Sequence, residues 1–337
     1  MRRFFKNLLI FCIIPIFVVI MSIVPYVRID PYADFGKNND YSWKYYFQQL
    51  GDLSTKKLLK SNQPYNAFIF GSSRTTSVYA CYLNEKLPDA QFFHYGNWNE
   101  SIGGICSKLQ LLDEKGYAIN RVILYFDTDY TFKDAGACLP SDHYLLTHQS
   151  RFSYLNDHFK SYYKNFSMDK LKILSGIPVA GETYPNWHSD PITNDPNHDC
   201  SDEQVRLAYG TVQNTPAYRE KIDSLRRSGF LYNRTTIQQY LPRQISKIEQ
   251  GYLQQIKAIF EKHATQYAVV LTPLYDQNKF SKADESVLNT LFKGHVYDYT
   301  GINSITNSVY NYPDRKHFQN YISKNMLDSI LIRQTLH

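Results

Sequence analysis

Short apolar runs alternate with helix-like patterns along two stretches of the chain. The runs predict five β-strands, at residues 66–70, 90–94, 121–126, 267–272 and 295–299. Apolar positions at helical spacing predict helices at residues 75–87, 102–115, 241–263, 282–292 and 318–332. Strands that alternate with helices indicate an α/β protein whose parallel sheet is covered on both faces.

The alternation lapses over residues 133–240, which carry helical patterns only at 168–174 and 202–209. Right-handed crossovers make a three-layer α/β/α, flavodoxin-like sheet the economical arrangement for the rest. A structureless loop of this length is implausible in a compact domain. We therefore expect a domain over residues 66–337, with a cap inserted at about 133–240, at the carboxyl edge of the sheet.

A charge-free apolar segment of twenty residues, Leu8 to Val27, precedes this domain. It is long enough to cross the roughly 30 Å hydrocarbon layer of a bilayer. We expect a cytoplasmic tip and transmembrane anchor over residues 1–28 and a juxtamembrane segment over 29–65. A cleaved signal peptide is the alternative, but the segment is longer than usual and lacks a small-residue cleavage site.

Basic residues cluster before the apolar segment. Arg2, Arg3 and Lys6 precede it, which predicts a cytoplasmic N-terminus and a periplasmic or cell-surface body. Of the net charge of +6, these residues and Arg28 contribute four, so the body is nearly neutral. A nearly neutral body does not favour binding to nucleic acid.

Composition excludes several classes of protein. With 43% hydrophobic and 20% charged residues, and only 15 Gly and 14 Pro, the chain is neither collagen-like nor wholly disordered. Of the five Cys, Cys12 lies in the apolar segment, and the other four lie in a compartment that permits disulfides. They allow three pairings, of which we favour Cys138–Cys200 because it brackets the irregular stretch. There is no C-x-x-C to support a zinc or redox site.

A serine follows the first predicted strand in Gly71-Ser72-Ser73-Arg74, directly before a helix. There its hydroxyl would project from the carboxyl edge of the sheet, beside backbone amides that can bind an oxyanion. The alternative is an ordinary helix cap, because Ser is favoured at helix starts.

A base for that serine is available near the other end of the chain. Asp314 and His317 are three residues apart, just before the last predicted helix. At this spacing the carboxylate could orient the imidazole while the second ring nitrogen faces outward. The alternative is a helix-start Asp with an exposed His. A parallel sheet would bring this loop to the same edge as Ser73.

With these two motifs the sequence resembles the SGNH, or GDSL-like, hydrolase superfamily. Ser73 matches the nucleophile, Ser72 replaces the Asp of G-D-S, and Asp314 with His317 matches D-x-x-H. The G-S-S form is similar to membrane-anchored envelope members, including the teichoic-acid D-alanylation protein and the exopolysaccharide acetyltransferases. The resemblance covers residues 66–132 and 241–337.

The resemblance also implies an oxyanion hole. Gly96, in His94-Tyr95-Gly96-Asn97, matches the glycine that supplies an amide after the second strand, together with the amide of Ser73. The usual Asn after the third strand is missing, because Asp127-Thr128-Asp129 stands there. An ionised Asp cannot donate to an oxyanion. Asn97 or Asn99 could substitute, or the hole could use backbone amides alone, or activity could be reduced or lost.

The remaining polar residues allow other chemistry. Asp127 and Asp129 could form the carboxylate pair of a glycosidase, or simply cap a turn. Arg74 could clamp an anionic substrate or make a structural ion pair. His188, His198 and Asp199 lack the spacing of metal ligands, so surface positions are favoured.

We expect a serine esterase or acyltransferase that acts on O-acyl groups, most simply acetyl, of cell-envelope glycans. No cofactor, metal or nucleotide is required. The expected partners are the membrane, the glycan or another acyl-carrying substrate, and, as a further candidate, a membrane acyl-transfer protein. The alternative is an inactive glycan- or assembly-binding protein. Hydrolysis and transfer are not distinguished by the sequence.

Overall fold

The structure of the chain is a computed structural model. It describes residues 2–30, 32, 34–35, 50–133, 145–146, 150–164, 168, 190, 192–195 and 215–335. The chain divides into two compact units. One contains Met1–Gln48 and Gln149–His188, and the other contains Gln49–His148 and Ser189–His337.

The described secondary structure follows the chain in this order: α1 Arg2–Ile29, α2 Leu50–Lys60, β1 Ala67–Phe70, a 3₁₀ helix Ser73–Ser77, α3 Ala80–Lys86, β2 Phe92–His94, α4 Ile102–Glu114, β3 Arg121–Phe126, α5 Arg151–Lys164, α6 Pro216–Arg227, β4 Gln239–Tyr240, α7 Lys247–His263, β5 Gln266–Leu271, β6 Asn278–Lys279, α8 Lys282–Leu291, β7 Val296–Asp298, α9 Ser304–Asn307, a 3₁₀ helix Val309–Asn311 and α10 Asn320–Thr335.

The larger unit is built on a parallel sheet of five strands in the order β2-β1-β3-β5-β7. This order is compatible with a flavodoxin-like fold. Successive residues of a strand face opposite sides of a sheet. Accordingly, Phe68 and Phe70 of β1 pack in a core with α4 and α7, whereas Ala67 and Ile69 pack in a second core with α3 and α10. The predicted α/β class and its parallel sheet are therefore confirmed.

Two predicted helices have different bounds. The predicted helix 75–87 is two elements, the 3₁₀ helix Ser73–Ser77 and α3, because Val78 and Tyr79 are extended between them. The predicted helix 241–263 begins only at Lys247, where Ser246 and Glu249 form a capping box. The sequence patterns also missed the short parallel pair β4–β6.

The smaller unit contains α1, which is long and apolar enough to cross a membrane. After α1, Tyr26 and Tyr32 pack with Tyr162 of α5. Asp34 accepts hydrogen bonds from the Tyr154 hydroxyl and pairs with His158 at 2.8 Å. These contacts connect the end of the apolar helix to α5.

Several predicted features fall outside the described residues. They are Cys138, Cys200, His188, His198 and Asp199, and the helical patterns at 168–174 and 202–209, of which only Met168 is described. Cys81, which precedes that stretch, is disulfide-bonded, whereas Cys106 is not in a disulfide. The expected full pairing of the four cysteines, in which Cys138–Cys200 would leave Cys81 to Cys106, is therefore wrong.

Candidate active site

The turn after β1 is shaped by close packing at Gly71. A Cβ at this position would lie 2.6 Å from Thr75 Cγ2 and 2.8 Å from Tyr125 Cβ, so no side chain fits. The chain passes from Gly71 through the buried Ser72, whose side chain caps the 3₁₀ helix that follows. The next residue, Ser73, is half-buried at the carboxyl edge of the sheet.

The side chain of Ser73 faces a histidine from the other end of the chain. Ser73 Oγ lies 3.2 Å from His317 Nε2, across a sequence separation of 244 residues. On the other side of the ring, His317 Nδ1 lies 3.1 and 3.0 Å from the two carboxylate oxygens of Asp314. The structure thus brings together the three residues that the motifs predict, in the order hydroxyl, imidazole, carboxylate.

The loop itself holds Asp314 in place. Its Oδ1 accepts hydrogen bonds from the backbone amides of Lys316, at 2.6 Å, and His317, at 2.9 Å. Burial alone would raise the pKa of Asp314, but the hydrogen bond and charge of His317 and these two amides outweigh it and lower the pKa. An ionised Asp314 keeps the proton on Nδ1, which leaves Nε2 as the acceptor that faces Ser73.

Two backbone amides beside Ser73 can stabilise an anion. Within the described parts of the chain, no hydrogen bond occupies the backbone N–H of Ser73 or of Gly96. Gly96 is tightly enclosed, because a Cβ there would lie 2.7 Å from Thr75 Oγ1 and 3.0 Å from His94 Nε2. These two amides are the donors that an oxyanion hole without the Asn of the third block would use.

The two candidate Asn donors are placed differently. Asn97 is buried, its backbone amide donates to the Gly71 carbonyl at 3.0 Å, and its Oδ1 accepts from the Trp98 amide at 2.8 Å. Asn99 is exposed and has a positive φ of 50°.

The acidic pair after β3 faces Arg74, which is 1% exposed. Arg74 Nη1 lies 3.0 Å from Asp127 Oδ2, and Nη2 donates to Asp129 Oδ2 at 2.7 Å. Asp127 also accepts from Ser72 Oγ at 2.6 Å. This geometry is that of a structural ion pair, and it directs Arg74 inward rather than toward a substrate.

Asp129 also pairs with Lys316 of the Asp314–His317 loop, at 2.5 Å. Burial would raise the pKa of Asp129, but Lys316 and Arg74 outweigh it, so the pKa lies below its ordinary value. The acid of a glycosidase needs the opposite shift. The arrangement therefore favours the serine chemistry over the carboxylate pair.

A second network, which sequence reasoning missed, lies beneath the serine turn. His94 Nε2 is 2.9 Å from Thr75 Oγ1, and His94 Nδ1 is 3.2 Å from Asp195 Oδ1. Asp195 also accepts from the amides of Ala80 and Cys81, at 2.8 and 3.0 Å, at the start of α3. All five residues belong to the larger unit. Their three segments are distant in sequence and come together only in the folded structure.

Thr75 links this network to the serine turn, because its hydroxyl donates to the Ser72 carbonyl at 2.9 Å. The position of His94 at the end of β2 was the one feature of the sequence that could have indicated this network.

Compared with known proteins, the chain matches no protein-family model and no curated protein.

Proposed function

We propose that the protein is an SGNH-type serine ester hydrolase or acyltransferase that uses Ser73, His317 and Asp314. The observation that carries this proposal is the contact between Ser73 Oγ and His317 Nε2, at 3.2 Å, with Asp314 on the opposite ring nitrogen. A serine hydroxyl becomes an effective nucleophile only with such a base in reach.

The geometry suggests the following steps. His317 Nε2 takes the proton of Ser73 Oγ as this oxygen bonds to the carbonyl carbon of the ester. The carbonyl oxygen becomes an anion and accepts from the amides of Ser73 and Gly96. As the tetrahedral intermediate collapses, the ester C–O bond breaks and His317 returns the proton to the leaving alcohol. Water or a glycan hydroxyl then releases the acyl group from Ser73.

The expected substrate is an O-acyl group, most simply acetyl, on a cell-envelope glycan. The apolar helix α1 supports a membrane location, and the basic residues before it favour a cytoplasmic N-terminus. The disulfide at Cys81 supports an extracytoplasmic body, because disulfides persist in oxidising compartments. An anchored enzyme in that place acts on material near the membrane surface.

Labelling with a serine-directed fluorophosphonate tests the proposal. We expect the wild-type protein to be labelled and Ser73→Ala to lose labelling completely, with hydrolysis of p-nitrophenyl acetate lost in parallel. Ser77→Ala is the matched control, because this hydroxyl lies in the same 3₁₀ helix but contacts Ser323 at 3.1 Å. It should label like the wild type.

An inactive binding protein is the second candidate, since Asp127 stands in the block where the family carries its Asn donor and is bound to Arg74 instead. A folded wild-type protein that never labels would favour this candidate and reject the enzymatic proposal.

A further inference from the structure

We propose that Phe230, Tyr232 and Arg315 form a subsite for an anionic saccharide, the group that carries or accepts the acyl chain. This inference rests on the proposed function, because it assigns the substrate class of the same site. It starts from two aromatic side chains that remain exposed beside the loop of the catalytic His317. Phe230 is 44% exposed and Tyr232 is 41% exposed.

The segment that carries these rings is firmly held. Arg234 donates to the carbonyls of Tyr275 at 3.2 Å and Asn307 at 2.8 Å, and also to that of Thr306. The Tyr275 hydroxyl donates to the Tyr232 carbonyl at 2.6 Å. A rigid aromatic surface loses little conformational entropy when a ligand stacks on it.

Arg315 adds a positive charge to this surface. Its guanidinium carbon lies 5.2 Å from the ring centre of Phe230 and 5.9 Å from that of Tyr232. The side chain is exposed, and within the described residues no carboxylate or other acceptor takes its N–H groups. Lys316, the next residue, is by contrast paired with Asp129. The guanidinium N–H groups of Arg315 can thus still donate hydrogen bonds, while cation–π contacts with the two rings orient the side chain.

The open cation is carried by the same loop as His317. Arg315 precedes His317 by two residues, so their Cα atoms are at most about 7 Å apart. Asp314, His317 and Arg315 belong to one loop, which presents the imidazole to Ser73 and the guanidinium to the aromatic pair. A saccharide bound on the aromatic pair would therefore lie against the loop that carries His317.

The chemistry of the three side chains selects the ligand. Aromatic rings pack against the apolar faces of sugar rings. A guanidinium with free N–H groups binds carboxylate or phosphate through two parallel hydrogen bonds. A saccharide bearing either anionic group satisfies both features, whereas a neutral saccharide leaves the charge of Arg315 unused.

The test measures saccharide binding to the full-length protein in nanodiscs at low salt. The probes are a fluorescent oligogalacturonate, a phosphorylated oligoglucan and a neutral oligoglucan. We expect the wild type to prefer at least one acidic probe, and Arg315→Ala to weaken that probe at least about tenfold, as expected for loss of a charged hydrogen bond. Arg315→Lys should be intermediate, because it keeps the charge but not the paired donors.

Arg333→Ala is the matched control. Arg333 is an exposed arginine over another ring, 5.9 Å from that of Tyr297, at the end of α10. Its loss should leave binding unchanged. The subsite is rejected if Arg315→Ala binds the acidic probes like the wild type, if the wild type binds acidic and neutral probes equally, or if it binds none.

Fluorophosphonate labelling of the wild type separates this inference from the proposed function. Labelling without Arg315-dependent binding rejects the subsite and leaves the serine chemistry standing. Arg315-dependent binding without labelling supports the subsite on a non-catalytic protein.

Discussion

Arg74 shows how much of the candidate site depends on one buried side chain. It joins the turn after β1 to the turn after β3 through Asp127 and Asp129. Asp127 is 1% exposed and also accepts from the Ser72 hydroxyl, so the charge of Arg74 stabilises the residue that precedes Ser73. Removing one partner of a buried ion pair leaves an uncompensated charge.

We therefore predict that Arg74→Met lowers the free energy of unfolding by about 3–5 kcal/mol, measured by chemical denaturation. Arg121→Met is the matched control, since Arg121 pairs with Asp89, which is 67% exposed. Its effect should stay within about 1 kcal/mol. Equal losses in the two variants would contradict the role assigned to Arg74.

For individual residues, the sequence was most informative where the residues of the candidate site can be recognised from their neighbours in the chain. Asp314 and His317 could be paired from their spacing alone, and Ser73 from its position after a strand. The contact of His94 with Asp195 could not be predicted, because 101 positions separate them and Asp195 lies in the stretch 133–240, where the alternation of strands and helices lapses. The inward direction of Arg74 likewise depends on tertiary packing.

Among the elements, the five strands of the main sheet and most of the helices could be predicted from their hydrophobic patterns. Burial of the sheet on both faces requires apolar residues at regular positions in these elements. The break between Ser77 and α3 could not be predicted in this way, because the residues Ser73–Ser77 are polar and only the extended backbone of Val78 and Tyr79 separates the two helices. Helix α2 also lay in a segment for which we predicted no element. It packs against residues 190–195 through Lys57, whose Nζ donates to the Asp190 carbonyl and lies 3.3 Å from Asn194 Oδ1.

Lys57 yields a prediction for pH dependence. Burial lowers the pKa of Lys57 to about 8, even though the charges of Asp190 and Asp195 act against it. In the unfolded chain the ordinary value of about 10.4 applies. Between these two values the unfolded state binds more protons, so the free energy of unfolding should rise with pH, by at most about 3 kcal/mol.

Urea denaturation at pH 7.5 and pH 9.5 measures this contribution. The gain between the two pH values should disappear in Lys57→Gln and persist in Lys60→Gln, since Lys60 is exposed at the end of the same helix. An identical gain in wild type and Lys57→Gln would show that Lys57 titrates normally.

At the scale of the whole molecule, the sheet of the larger unit is built from both the N-terminal and the C-terminal parts of that unit's sequence. Strand β1 lies between β2 and β3, while β5 and β7 come from the C-terminal third and complete the sheet. The sequence predicted this architecture because the alternation of elements resumes after residue 240. It did not predict the division into two units, in which α5 is grouped with the N-terminal helix.

The orientation across the membrane is testable for the intact chain. Arg2, Arg3 and Lys6 predict that the residues before α1 stay in the cytoplasm, so the C-terminus should lie outside. A C-terminal alkaline phosphatase fusion, expressed in a bacterium, should be active, and a fusion after Lys6 should be inactive. The reverse pattern would place the body in the cytoplasm and remove the basis for an envelope substrate.

The separation of 244 positions between Ser73 and His317 has a consequence for the synthesis of the protein. With the proposed function and orientation, Ser73 would emerge from the translocation channel 244 residues ahead of His317, so the nascent chain would lack esterase activity until His317 had also emerged. Under the same proposal, newly made molecules would not cleave nearby esters during export, and a chain terminated anywhere before His317 would lack the base proposed for Ser73.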